Sequence, residues 1–74
     1  MLQNDKNIYM KLKLREVRKL KGLTQEGLAE ICGLSGSSIS RYELEQSYPN
    51  ILELEWIALA LKVKITDLFD SITL

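Results

Sequence analysis

The stretch "TQEGLAEICGLSGSSISRYE", residues 24–43, decides the fold because it contains two short helical patterns with a turn between them. Thr24 is a good N-cap for the first pattern. Gly33 ends that pattern, because glycine readily adopts the left-handed backbone conformation that stops a helix. Ser35 is an N-cap for the second pattern, over residues 36–44. The sequence therefore predicts two helices, of about eight and nine residues, joined by "GLS".

The serines of this stretch raise three interpretations: a flexible linker, a nucleophile site, or a helix that reads a partner. "GLSGS" misses the G-x-S-x-G nucleophile motif because the second glycine is absent, and the chain has no histidine to activate a serine. Ile39 and Tyr42 share one side of a helix, while Ser37, Ser38 and Arg41 occupy the rest of its surface. This spacing favours a helix with an apolar inner face and a polar outer face.

The segment before this pair predicts another helix. "YMKLKLREVRKL" places Met10, Leu14 and Val17 at helical spacing, and Gly22 follows where a helix needs a left-handed stop. The alternating "KLKL" lies inside this longer pattern, so no strand is predicted there. We expect a first helix that begins near Met10.

The segment after the pair predicts a further helix and a final turn. Asn50 and Glu53 form a capping-box pattern at the start of "ILELEWIALAL", and "TDLFD" supplies an apolar lid. The expected fold is all-α, with five helices in one compact domain. We expect an N-terminal arm at residues 1–9, a domain at 10–70, and a tail at 71–74 that is frayed or used in association.

The composition fits a single small domain without a catalytic site. The chain has 74 residues, 46% hydrophobic and 27% charged, with one cysteine and no histidine. These counts exclude an internal disulfide, the common zinc sites, and Ser/His or Cys/His catalysis. We expect a protein that is not an enzyme and uses no metal or cofactor. Without a run of about 20 apolar residues or a signal-peptide core, we expect it in the cytoplasm, away from membranes.

The net charge of zero conceals a division along the chain. Residues 1–24 carry seven Lys and Arg against two acidic residues, while residues 25–74 carry three against eight. The two parts therefore have net charges of +5 and −5. Such asymmetry can direct one face of a protein toward an anion, although ordinary solvated surfaces also explain it.

The run "LREVRKLKGLTQEGLAEICGLSGSSISRYE", followed by a proline and "LELEWIALAL", resembles the phage repressor and Cro-type (XRE) helix-turn-helix family. The resemblance covers about residues 12–70. It implies a lambda-repressor-like domain in which helix 36–44 enters the major groove of DNA. The matching positions are Arg18, Thr24, Gln25, Leu28, Ala29, Gly33, Ser35, Ile39 and Glu43.

The resemblance also implies which residues contact DNA. The base-contacting positions are Gly36, Ser37, Ser38 and Arg41. The phosphate-contacting positions are Thr24, Gln25, Ser35, Ser40 and Ser47. Arg41 can bond guanine O6 and N7, although a surface ion pair with Glu45 is the alternative. Thr24 and Gln25 can also act only as caps, and Gly36 either lets the backbone approach DNA or eases a tight turn.

Two further features follow from the comparison with the family pattern. Arg18 and Glu43 match a structural ion pair that links the first and third helices. The family has a glycine and then basic residues after the third helix, whereas this chain has "LEQS" at residues 44–47. Fewer cationic contacts predict modest DNA affinity with a shallow salt dependence, unless the basic N-terminal segment compensates through Lys6, Lys11, Lys13 and Arg15.

The fourth helix carries a second apolar stripe opposite the face expected in the core. Its positions are Leu52, Trp56, Leu59 and Val63. We interpret this stripe as the interface of a homodimer that binds a pseudo-palindromic site. The alternative is that the N-terminal segment, through Leu2, Ile8 or Tyr9, folds over Trp56 within one chain.

The sequence therefore predicts a sequence-specific DNA-binding transcriptional regulator, acting as a repressor. We expect a bacterial or phage protein associated with the nucleoid. The alternative function is an antitoxin-like or adaptor module that keeps this fold with weak DNA affinity. The acidic segment after the third helix and the second apolar stripe favour that alternative.

Overall fold

Four α-helices and a two-stranded ribbon make up the computed structural model, which describes residues 8–73 and, for side chains, residues 10–70. The helices are α1 (Leu14–Leu20), α2 (Gln25–Cys32), α3 (Gly36–Glu43) and α4 (Ile51–Leu61). A single 3-10 turn, Ile65–Leu68, follows α4. The strands are β1 (Ile8–Leu12) and β2 (Phe69–Thr73). No helix in the described part of the chain is long and apolar enough to cross a membrane.

The ribbon corrects two expectations. β1 and β2 pair antiparallel, with Ile8 opposite Thr73 and Leu12 opposite Phe69. The expected helix at "YMKL" is therefore wrong, because these residues form a strand and α1 begins only at Leu14. A five-residue strand becomes stable when it gains a partner, and here the partner comes from the other end of the chain.

The expected count of five helices is also wrong, because the last helical segment is one 3-10 turn that runs directly into β2. Residues 71–73 of the expected tail belong to β2, so their backbone is paired rather than frayed. The expected domain boundaries, at residues 9 and 70, fall within β1 and β2 respectively. Those boundaries stay a prediction.

The core lies where the four helices and the 3-10 turn meet. Its fully buried side chains are Leu14, Leu28, Ile39, Ile57, Leu61 and Leu68. The inner face that periodicity predicts for α4 consists of Leu54, Ile57, Ala58 and Leu61. Ile57, Ala58 and Leu61 are buried, and Leu54 is partly buried against the core. Cys32 is a buried free thiol within this core.

All four helices end with a residue in the left-handed conformation, but only two of these residues are glycines. Gly22 and Gly33 have φ of 73° and 78°, whereas Glu45 and Lys62 have φ of 55° and 58°. Beyond α3, the N–H of Gln46 donates to the Arg41 carbonyl at 2.9 Å and that of Glu45 to the Tyr42 carbonyl at 3.1 Å. This is a Schellman motif with glutamate where glycine is usual.

α4 begins with the expected capping box, which also fastens it to α3. Asn50 accepts from the Glu53 N–H at 2.8 Å, and Glu53 accepts from the Asn50 N–H at 3.0 Å. The Tyr42 hydroxyl donates to the same Glu53 oxygen at 2.9 Å. Glu53 thus caps its own helix and holds the end of α3 against it.

Candidate nucleic-acid interface

A buried ion pair joins α1 to the end of α3. Arg18 donates through Nε and Nη2 to the two carboxylate oxygens of Glu43, the second bond measuring 3.0 Å. Only 9% of the Arg18 side chain and 3% of the Glu43 side chain are exposed. Two parallel hydrogen bonds between these planar groups fix the rotation of α3 relative to α1 as well as its distance.

Two more contacts extend this pair to the rest of the helix-turn-helix. Arg18 Nη1 donates to the Leu23 carbonyl at 2.7 Å, in the turn before α2. Gln25 Nε2, on the first residue of α2, donates to Glu43 Oε1 at 3.0 Å. We call Arg18, Leu23, Gln25 and Glu43 the buried network. It joins α1, the turn, α2 and α3 through side chains of only three residues.

Gln25 is the member that sequence reasoning missed, since we interpreted it as a phosphate contact or a cap. A glutamine amide nitrogen carries two N–H groups, so one bond to Glu43 leaves the other free to donate. Gln25 therefore supports Glu43 from the start of α2 and remains half-buried there. The signal that could have indicated this role is Glu43, because a carboxylate paired with Arg18 in the interior needs more than one donor.

The buried network shifts the acid-base properties of its charged members. Burial acts to raise the pKa of Glu43, but the hydrogen bonds from Arg18 and Gln25 outweigh it, so this pKa lies below its ordinary value. The hydrogen bond to Glu43 raises the pKa of Arg18. Both side chains are therefore charged at neutral pH.

Helices α2 and α3 both present capped N-termini. Thr24 Oγ1 accepts from the Gly27 N–H at 2.9 Å, and Ser35 Oγ accepts from the Ser38 N–H at 3.1 Å. Thr24 and Ser35 are exposed, so their caps lie at the surface. The remaining free N–H groups of a helix N-terminus attract anions.

The serines at the start of α3 form a hydrogen-bonded chain that ends on Arg41. Ser35 Oγ donates to Ser38 Oγ at 2.9 Å, and the Ser37 and Ser35 hydroxyl oxygens lie 3.1 Å apart. Arg41 Nη2 donates to Ser38 Oγ at 3.3 Å. Ser37 and Arg41 are exposed, whereas Ser38 is half-buried. The guanidinium is thus held on the outer face of α3.

The alternative ion pair between Arg41 and Glu45 is not formed among the described side chains. Glu45 instead accepts from the Tyr48 hydroxyl at 3.2 Å. The remaining expected phosphate contacts, Ser40 and Ser47, are both half-buried.

Gly36 has no structural requirement for glycine. Its φ is not positive, unlike those of Gly22 and Gly33. A Cβ built on Gly36 would lie 3.9 Å from Glu26 Cγ, which is ordinary van der Waals contact. A Cβ would therefore fit against Glu26 at the start of α3, and the backbone conformation does not require glycine here.

The outer face of α4 is apolar, as the sequence predicts for part of the stripe. Leu52, Trp56 and Leu59 are exposed, and we call these three residues the α4 face. Val63 differs, because it is half-buried and packs against the core. Ile31 of α2 was not anticipated: it is exposed and lines a shallow groove with Cys32, Trp56, Leu59 and Ala60.

The alternative cover for Trp56 falls partly outside the described residues, which exclude Leu2. Ile8 and Tyr9 lie in β1, whose backbone pairs with β2. The ribbon instead borders a second apolar groove of about 500 Å³, beside the start of α4. Its lining residues are Met10, Leu12, Tyr48, Pro49, Ile51, Leu54 and Phe69.

Comparisons with known proteins agree with this geometry. A family model described as helix-turn-helix matches residues 14–68. The HTH-type transcriptional activator BcrR of Enterococcus faecalis is 41% identical over 59 residues, which span 80% of this chain but 29% of the activator. The chain thus spans less than a third of the length of that relative.

Solved structures of two other bacterial proteins are similar. The restriction-modification controller protein C.AhdI of Aeromonas hydrophila is 34% identical with a TM-score of 0.72, covering 74% of this chain and 83% of its own. A putative DNA-binding protein of Bacteroides fragilis is 31% identical with a TM-score of 0.78, covering 84% of this chain and 100% of its own. Both likenesses extend over most of the chain.

Proposed function

Because this chain belongs to the helix-turn-helix family, we propose that it binds double-stranded DNA and regulates transcription, with α3 in the major groove. The observation that carries the proposal is the buried network, which holds α2 and α3 in one rigid unit while Ser37 and Arg41 remain exposed in front of it. A recognition helix has to be held in this way, because a shift of its side chains against the base edges loses the hydrogen bonds that specify sequence.

We assign the contacts in two groups. The phosphate group is Thr24, Gln25, Ser35, Ser40 and Ser47. The base group is Gly36, Ser37, Ser38 and Arg41. Arg41 makes the main base contact, to guanine O6 and N7, and Ser38 supports it through the bond to Nη2. Gly36 adds no side chain, so readout by the first turn of α3 depends on Ser37 and bridging water.

We propose a homodimer that forms through the α4 face. Three exposed apolar side chains on one helix, next to the exposed Ile31, give a continuous apolar surface of the kind that subunit interfaces bury. A two-fold dimer presents its two α3 helices about 34–36 Å apart, one turn of DNA. The operator is then pseudo-palindromic.

The regulator acts as a repressor by occupying promoter DNA, and it does so in the cytoplasm on the bacterial chromosome. The proposal includes no metal, cofactor or catalytic step. The named relatives are regulators or DNA-binding proteins, which favours this function over an antitoxin-like or adaptor module.

Selection of bound sites from random duplexes, followed by titration at two salt concentrations, tests the proposal. We expect recovery of a palindrome and salt-sensitive binding that weakens about tenfold or more in Arg41→Ala, mainly at one guanine. Lys64→Ala is the matched control, because it removes an equal charge in the loop after α4. Failure to bind any duplex at low salt would contradict the proposal and favour the interaction module.

A further inference from the structure

Leu44, the residue that follows α3, is an exposed leucine on the helix face proposed to meet DNA. Its side chain is 62% exposed, and it belongs neither to the core nor to the side chains packed against it. It also lines neither of the two apolar grooves. A large apolar side chain in this position gains nothing from the interior of its own domain.

Helix geometry aligns Leu44 with the proposed reading residues. The Leu44 N–H donates to the Ser40 carbonyl at 3.0 Å, and its φ of −84° is right-handed helical, so α3 geometry extends to this residue. At about 100° per residue, Leu44 lies within roughly 20° of Ser37 and 60° of Arg41 around the helix axis. The three residues therefore form one stripe at i, i+4 and i+7.

The direction of helical side chains brings Leu44 closer still to Arg41. Side chains on an α-helix lean toward its N-terminus, so each covers surface over the preceding turn. The Leu44 methyl groups thus extend back toward Arg41. Ser37 and Leu44 are separated by about 10 Å along the axis, or roughly three base-pair steps.

An apolar side chain can gain binding energy in a DNA groove only from an apolar partner. The phosphates and the edge atoms of most bases are polar, and the C5-methyl group of a pyrimidine is the apolar group that the major groove offers. This methyl is part of thymine and is also present on 5-methylcytosine. Uracil and cytosine lack it.

We propose that Leu44 contacts the C5-methyl group of a pyrimidine beside the base pair read by Arg41, and so adds a second specificity element to α3. This inference rests on the proposed function. The stripe would then contact base pairs through one polar residue, Ser37, one charged residue, Arg41, and one apolar residue, Leu44.

Methyl substitution within the selected duplex tests the inference directly. Each thymine is replaced singly by uracil, and each cytosine by 5-methylcytosine, and the Kd of each duplex is measured with wild type, Leu44→Ala and Leu20→Ala. Burial of one methyl group corresponds to a change of about fourfold in Kd. If the methyl group belongs to thymine, we expect replacement by uracil to weaken binding by that factor at one position per half-site. If it belongs to a modified cytosine, we expect 5-methylcytosine to strengthen binding by that factor at one position.

The variants separate this contact from general effects. Leu44→Ala should bind duplexes with uracil or thymine, or with cytosine or 5-methylcytosine, equally well. Because Leu44 is exposed, the variant should keep its fold, which circular dichroism checks. Leu20→Ala removes another exposed leucine, on α1 and 84% exposed, and should retain the wild-type response. Specific wild-type binding without any methyl-sensitive position, or sensitivity that persists in Leu44→Ala, would overturn the inference. Absence of all DNA binding would overturn the proposed function itself.

Discussion

The helix-turn-helix, residues 24–43, and the part of the domain formed by α4 and the ribbon are built in opposite ways. The first adds a buried network of charged and amide side chains to its apolar core residues and presents serines and an arginine outside. The second is apolar inside and also apolar on much of its surface, at the α4 face and the groove beside the ribbon. The difference teaches that the orientation of α3 depends on directional hydrogen bonds, whereas the proposed dimer would depend on non-directional apolar contact.

The largest expected effect comes from breaking the buried network. Glu43→Gln removes a charge and leaves the Arg18 guanidinium buried without its counter-ion, which typically destabilises a protein by about 3–5 kcal/mol. Chemical denaturation followed by circular dichroism measures this loss. Glu55→Gln on the exposed side of α4 is the matched control and should stay within about 0.5 kcal/mol of wild type. Equal stability of the two variants would show that the network contributes little.

The same carboxylate gives the network a pH dependence. Because the folded pKa of Glu43 lies below its ordinary value of 4.5, its contribution is present above that pH and is lost as the pH falls through the folded pKa. The free energy of unfolding of wild type should therefore decrease on acidification, and more steeply than that of Glu43→Gln. Denaturation at a series of pH values from neutral to acid compares the two slopes. Parallel curves would contradict the assigned shift.

The next effect should appear in association rather than folding. Trp56→Glu places a charge at the centre of the α4 face, and loss of such a central aromatic contact commonly costs about 2 kcal/mol, or roughly thirtyfold in dimer Kd. Sedimentation at micromolar concentration measures the mass of wild type and variant. Ile51→Glu is the matched control, since it makes the same kind of change at an exposed α4 residue that lines the groove beside the ribbon.

Two outcomes would contradict this interface. A wild-type protein already monomeric at micromolar concentration removes the proposed dimer. Dissociation by Ile51→Glu with Trp56→Glu unaffected would move the contact to the groove beside the ribbon.

The smallest effect concerns the end of α3, where the two parts of the molecule join. Glu45→Gly relieves a left-handed backbone conformation at a residue with a side chain, and should stabilise the domain by about 1 kcal/mol. Thermal unfolding measures the shift. Lys62→Gly relieves the same backbone conformation at the end of α4 and should stabilise the domain similarly. Because Glu45 and Lys62 carry opposite charges, a shared effect would come from the backbone and not from the change of charge. A stability decrease in both variants would contradict the argument.

Local signals in the sequence were sufficient to predict the helix-turn-helix. Thr24, Ser35 and Asn50 act as caps because each offers an oxygen to an N–H three residues on, and such bonds depend on near neighbours only. The inner face of α4 followed from periodicity in the same way. These parts of the fold are predictable because the interactions that define them lie within one turn of helix.

The remaining features depend on residues distant in sequence. β1 forms because residues 69–73 return to pair with it, and four alternating residues inside a helical pattern could not indicate that return. The bond from Gln25 to Glu43 and the burial of Val63 likewise need the packed structure. The left-handed Glu45 was hidden because glutamate is an unusual residue there.

The ribbon has a consequence for how the chain can be rearranged. Since Ile8 lies directly opposite Thr73, the Cα atoms at the two ends of the ribbon are about 5 Å apart, and a short peptide would join them. The described chain thus begins and ends at the same place in the fold. A circular permutant that joins Thr73 to Ile8 and has new termini in the loop between α3 and α4 should keep the buried network intact.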